Sequence, residues 1–257
     1  MVMLLVSASL LAHDLYLMPG SFIVKPGQSL KVSVNNGDAF PNSEQSPILE
    51  RLQDAELRSQ KSVSKVHNLR IVGEAAVGEV VVPQGGNLVL SVRTIPNLIE
   101  LPPREFAEYL EEEGLTQIIT WRAQHNESDK PGRERYSKFA KSLLLGNKPD
   151  DFSQKPLGSV IEIVPLANPY RLHAGDSLPV RILLRGKPAA DLQLEATYAS
   201  SDTKTSVVGR TNAKGEIKVP LSATGKWRLH TVSMERSSDS TAADWESFWA
   251  SLTFEIR

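Results

Sequence analysis

The stretch Leu178-Pro-Val-Arg-Ile-Leu-Leu184, closed by Arg185-Gly186-Lys187-Pro188, reads as a β-strand ended by a turn, and it decides the fold class. The same signature repeats on either side of it. Val160–Val164, Leu192–Tyr198, Ser206–Arg210, Glu216–Leu221, Trp227–Val232 and Ser251–Ile256 carry strand patterns. Ala174-Gly175-Asp176 and Asn212-Ala-Lys-Gly215 supply turns between them. About seven strands in about a hundred residues is the count of an immunoglobulin-like sandwich, here spanning 157–257.

Upstream, the first third also reads as short strands. Ser21–Val24 precedes a Pro26-Gly27 turn, and Leu30-Lys-Val-Ser-Val34 alternates apolar with polar. Asn35-Asn36-Gly37-Asp38 is a loop signal, extended by Pro41 and Pro47. Further strands fall at Asn68–Val72, Glu79–Val82 and Leu88–Arg93, and short strands at regular spacing predict an antiparallel sandwich over 13–100. The period then changes. Pro102-Pro103 opens a helix with Phe106, Tyr109 and Leu110 on one face and Gly114 as C-cap; Leu115, Ile118, Ile119 and Arg122 continue it. A second helix is predicted from Pro131 to Gly146, its apolar face Tyr136, Phe139, Ala140, Leu143 and Leu144, its solvated face Arg133, Arg135, Lys138 and Lys141. The expected organisation is thus two antiparallel sandwiches with a helical insertion at 101–146 and a polar linker at 147–156.

Met1–Ala12 is an apolar run too short to span a bilayer and suited to a secretory signal, although no Lys or Arg precedes it. Cleavage after Ala12 would make His13 the first residue of an exported, periplasmic protein. A terminal His can chelate a metal with its α-amino and ring nitrogens together, and the amino group, of unperturbed pKa about 7.7–8.0, can lose its proton to a metal near neutral pH. The formal net charge of −1 gives no global field, which argues against nucleic acid as a partner. No later apolar run reaches spanning length. With zero Cys there is no thiolate, so any metal would rest on His, carboxylate, amide or amino ligands.

Several segments together resemble a family of bacterial periplasmic proteins built on a domain of unknown function and associated with nickel or cobalt uptake. They are His13-Asp-Leu-Tyr-Leu-Met-Pro19, Gly132-Arg-Glu-Arg-Tyr-Ser-Lys-Phe-Ala-Lys141, Glu162-Ile-Val-Pro-Leu-Ala-Asn-Pro-Tyr170, Gly186-Lys-Pro188, Asn212-Ala-Lys-Gly215, Gly225-Lys-Trp227 and Asp244-Trp-Glu-Ser-Phe-Trp-Ala-Ser-Leu-Thr-Phe254. The resemblance implies an exported, mostly β protein. It also implies metal binding through a mature N-terminal His plus a further His, of which only the terminal position matches here, onto His13.

Around His13, Asp14 could donate a carboxylate and Met18 is a soft potential ligand, though a cap and ordinary packing are the plainer roles. The remaining histidines, His67, His125, His173 and His230, form no close pair; of these, His67 or His230 is the expected completing ligand. Trp245, Phe248 and Trp249 read as the plug of a core end rather than a stacking platform. Asp244 and Glu246 beside them show no cleft that glycosidase chemistry would need. No nucleophile elbow, phosphate loop or dinucleotide fingerprint occurs, so no enzyme activity is expected. The expected function is a divalent-metal-binding accessory for Ni, Co or Cu, with a membrane transporter component as partner. A non-metal module for a protein or carbohydrate is the alternative, and a copper oxygenase ranks last.

Overall fold

A computed structural model describes residues 13–199 and 204–257; the expected leader over 1–12 lies outside the described residues. The protein is mainly β, with several antiparallel sheets and two helices. The strands of the first half are β1 (Leu15–Pro19), β2 (Ser29–Asn36), β3 (Leu52–Arg58), β4 (Val63–Lys65), β5 (His67–Val72), β6 (Ala75–Val81), β7 (Asn87–Thr94) and β8 (Asn97–Leu101). Helices α1 (Pro103–Glu112) and α2 (Thr116–Gln124) follow, then β9 (Gly132–Leu145). The second half holds β10 (Ile161–Pro165), β11 (Ser177–Leu184), β12 (Lys187–Pro188), β13 (Gln193–Ala199), β14 (Lys204–Arg210), β15 (Glu216–Pro220), β16 (Gly225–Arg236) and β17 (Trp245–Ile256). The stretch Ser21–Val24, expected as a strand, makes only a single bridge, at Ile23 with Leu145.

A nine-stranded sheet ordered β14-β13-β16-β17-β9-β7-β3-β4, with β8 also on β9, forms the middle of the molecule. Alternate residues of its strands face opposite layers. In β17, Phe248, Ala250, Leu252 and Phe254 meet the sheet of β10, β11, β12 and β15, in one core with Ile163, Val180 and Ile182. The other face of the middle sheet carries two further cores. Ala140 and Leu144 of β9 join Leu88, Leu90 and Val92 of β7 under the four-stranded sheet β1-β2-β6-β5. Trp245 and Trp249 pack with Phe106, Tyr109 and Leu110 of α1. A single wall of strands therefore serves both sandwiches.

The predicted helix over Pro131–Gly146 is instead β9, a fourteen-residue strand pairing antiparallel with β7 and parallel with β17. Its lysines explain the misreading. Lys138 and Lys141 are buried on opposite faces of the strand, so charge does not mark a solvated side. Lys141 meets Glu162 of β10 at 3.1 Å, both side chains buried. Residues 147–156 contain a 3₁₀ turn at Phe152–Gln154, and Asn168 Nδ2 donates to Asn87 Oδ1 (2.6 Å) and the Asp150 carbonyl (2.7 Å), fastening the segment.

Two hydroxyls of the middle sheet fix β1. Ser251 Oγ donates to the Leu15 carbonyl at 2.6 Å and Thr253 Oγ1 to the Leu17 carbonyl at 2.7 Å, while β2 pairs with β1 through its backbone. The residues just before β1 are thereby laid over β9 and β16.

Candidate functional site

Asp14 turns inward and is 5% exposed. Its carboxylate lies 2.6 Å from His230 Nδ1 and 3.1 Å from an Arg228 nitrogen, both residues of β16. The second ring nitrogen of His230 meets Glu113, just past α1, at 2.9 Å. Burial alone would push His230 down, but the Asp14 and Glu113 carboxylates outweigh it and hold the imidazolium well above the usual His range. Burial likewise works to raise Asp14, and His230 and Arg228 reverse it, holding the carboxyl below its ordinary value. Arg228 also donates to the Gly37 carbonyl (3.1 Å) and lies over the rings of Tyr16 and Phe40, so it ties the 37–44 loop to β1.

His13 is only partly covered, with 15% of its side chain exposed. Its Nδ1 is 2.9 Å from Asp38 Oδ2, and its carbonyl accepts from the Lys138 ammonium. Burial pushes Lys138 down to about 8, against the pull of Asp14. Glu44 completes the cluster: its Oε2 accepts the Asp38 and Ala39 backbone N–H groups at 2.6 and 3.0 Å, which keeps the carboxyl below its usual range. The bend needs a glycine. Gly37 sits at φ +149°, and a Cβ there would stand 2.7 Å from Glu44 Oε2. One ligand atom from each of His13, Asp38 and Glu44 lies within 4.8 Å of the other two. An imidazole nitrogen and two carboxylates can hold a divalent ion, and an α-amino group on His13 would add a second nitrogen, a donor set suited to Ni²⁺ or Cu²⁺.

The other sequence-nominated residues lie elsewhere. His67 is exposed on the edge strand β5, opposite Glu79. His230 is adjacent in space to Asp14, with both ring nitrogens taken by carboxylates. His125 stacks on Trp121, and His173 sits exposed in its turn beside Asp176. Met18 packs with Tyr16, Phe22 and Phe40. Trp245, Phe248 and Trp249 are core residues, and Asp244 and Glu246 pair with Arg133 and Arg135. Asp38 and Glu44 were missed; their stretch carried only a loop signal.

Stacked antiparallel sheets with a His–carboxylate cluster at the head of the first strand define a β-sandwich protein with a small polar surface site. Residues 10–235 match the domain of unknown function DUF4198, and the chain belongs to that family. No curated protein matches it. Among solved structures it is similar to a DUF4785 family protein from Legionella pneumophila (11% identity, 83% of this chain and 51% of that one, TM-score 0.27). It is also similar to the Yersinia pseudotuberculosis adhesin InvE (13%, 94% and 60%, TM-score 0.24) and to the D00-D0 domain of intimin (8%, 95% and 99%, TM-score 0.20). The chain thus spans little more than half the length of the first two. At these scores the likenesses carry no functional argument.

Proposed function

We propose that the protein is an exported carrier of a divalent metal, Ni²⁺, Co²⁺ or Cu²⁺, bound by His13 with Asp38 and Glu44 and handed to a membrane uptake component. The metal is cargo, and the protein acts by binding rather than by catalysis. The grouping of His13 Nδ1 with both carboxylates supports this reading above any other observation. Removal of residues 1–12 would set an α-amino group on the same residue whose Nδ1 faces Asp38, completing a chelate unavailable to an internal His. In this reading His67 takes no part, and His230 supports the site from beneath through Asp14 rather than ligating the ion.

The test compares the protein beginning at His13, the same protein with one extra Ala in front, His13→Ala, and Asp38→Asn combined with Glu44→Gln. Calorimetric titration with Ni²⁺ and Cu²⁺ should show tight binding only in the first. The extended form should be weaker, isolating the amino group, and His13→Ala weakest. Affinity should also fall as pH is lowered, because the ligands must shed protons to bind. Equal binding by all four forms, or by none, refutes the site and leaves the non-metal binding module as the reading of the fold.

A further inference from the structure

A cleft of about 200 Å³ shares His13 as part of its wall, and Arg51, Asn97, Tyr136, Lys138 and Gln45 line it as well. No Asp or Glu is among its lining residues, although two cations are. Arg51 has no carboxylate within 4.0 Å among the described residues; it donates to Tyr136 Oη (2.9 Å) and the Ile95 carbonyl (3.1 Å) and lies 4.8 Å from the Tyr136 ring centroid. Lys138 likewise has no carboxylate within 4.0 Å: its ammonium reaches the His13 carbonyl and lies over the Tyr136 and Trp249 rings. Asn97 adds an amide donor at Tyr136 Oη, 3.1 Å.

We infer that this cleft receives the carboxylate of a small organic polyacid that travels with the metal, so that the cargo is a metal–carboxylate complex and not a bare ion. The inference rests on the metal reading of His13. Guanidinium groups match carboxylates in shape and charge, and a charge-assisted bond is stronger than a neutral one. The cleft lies below the roughly 300–1,000 Å³ of pockets for drug-sized ligands, which favours a compact acid. A coordinated polyacid has a carboxylate left over, and His13 belongs to both the cleft wall and the proposed metal site.

The probe is radiolabelled citrate in equilibrium dialysis against the protein starting at His13, with and without equimolar Ni²⁺, and with Ni²⁺ retention measured in parallel. Citrate should bind at one per chain, more tightly with Ni²⁺ present. Arg51→Gln should weaken that binding by about tenfold or more, from the loss of one charged bond. Arg51→Lys should recover part of it. Asn97→Asp, at an exposed position where folding is not at stake, sets a negative charge on the cleft wall and should weaken it comparably. Thermal melts confirm that each variant is folded. Citrate held no more tightly with Ni²⁺ than without, or equally by wild type and the Arg51 and Asn97 variants, overturns the inference. If wild type then still retains Ni²⁺, the metal reading survives alone; if it retains none with or without citrate, both fall.

Discussion

Asp14→Asn removes one charge while keeping the side chain's shape, and it leaves Arg228 and His230, both buried, facing an amide. Breaking a buried ion pair at one partner costs about 3–5 kcal/mol, because the remaining charge stays desolvated without its counterion. The amide oxygen can still accept one hydrogen bond, which favours the lower end of that range. At about 2–4 °C per kcal/mol for a chain of this size, the melting temperature should drop by roughly 6–15 °C. Urea unfolding followed by circular dichroism at pH 6 measures the loss directly. The effect has a pH signature. His230 is held above its unfolded value of about 6.5, so its stabilising share is full below that pH and is lost as pH rises toward the folded value. Asp14 is held below its unfolded value of about 3.9, so its share is present above that pH and is lost as pH falls. The penalty of Asp14→Asn should therefore be greatest between about pH 4 and 6.5 and should shrink in alkali. The double variant with His230→Gln should cost less than the two singles added, by about 0.5–3 kcal/mol of coupling. A loss below about 1 kcal/mol, or strict additivity, would show that the three groups do not act as a buried unit.

Two further outcomes follow from the same face of the middle sheet. Glu134 is buried, accepts from Tyr109 and Ser247 with no cation within 4.0 Å among the described residues, and is pushed up to about 7 by burial. An acid raised on folding gives stability that is full below about pH 4.3 and is lost as pH climbs through the folded value, so Glu134→Gln should gain on wild type between pH 5 and 8; parallel urea midpoints for the two proteins would refute this. Gly132→Ala should cost about 1–3 kcal/mol or more, since its Cβ would overlap the Phe106 ring of α1. Phe106→Leu in that background should return part of the loss, and a wild-type melting curve for Gly132→Ala would mean that α1 does not rest there.

The strands of the second half were legible because each carries its own evidence: β11 has its apolar run and a glycine turn, β15 and β16 theirs. The helix α1 was legible for the same reason, with Pro103 at its start and Phe106, Tyr109 and Leu110 buried on one face. β9 was not, because its polar residues are explained only by distant partners. Lys141 needs Glu162, Lys138 needs the His13 carbonyl, and Glu134 needs Tyr109 and Ser247. Read locally, those side chains look solvated; in a strand buried on both faces they alternate with Phe139, Ala140 and Leu143 to the core. The parallel pairing with β17 is equally invisible to local pattern, since it joins residues more than a hundred positions apart.

At the candidate site, His13 could be singled out because the apolar run Met1–Ala12 ends beside it, whereas nothing marks Asp38 and Glu44, which reach it only when the 37–44 loop folds back under Arg228. The adjacency of His13 and Asp14 then takes on a mechanical sense. Successive residues of an extended segment face opposite ways, so burying Asp14 commits His13 to the surface side. A residue at a new chain terminus ordinarily frays. Here Asp14 is clamped by Arg228 and His230, the His13 carbonyl is held by Lys138, and the next strand is pinned by Ser251 and Thr253. As the proposed metal ligand, a residue so fixed would have little ordering entropy left to lose on binding, so affinity would be gained without any added contact. On the metal reading proposed above, the buried Asp14–His230 pair and the His13–Asp38–Glu44 cluster act as one device. Asp14→Asn should weaken Ni²⁺ binding even at temperatures where the variant is fully folded, although no atom of Asp14 need touch the metal.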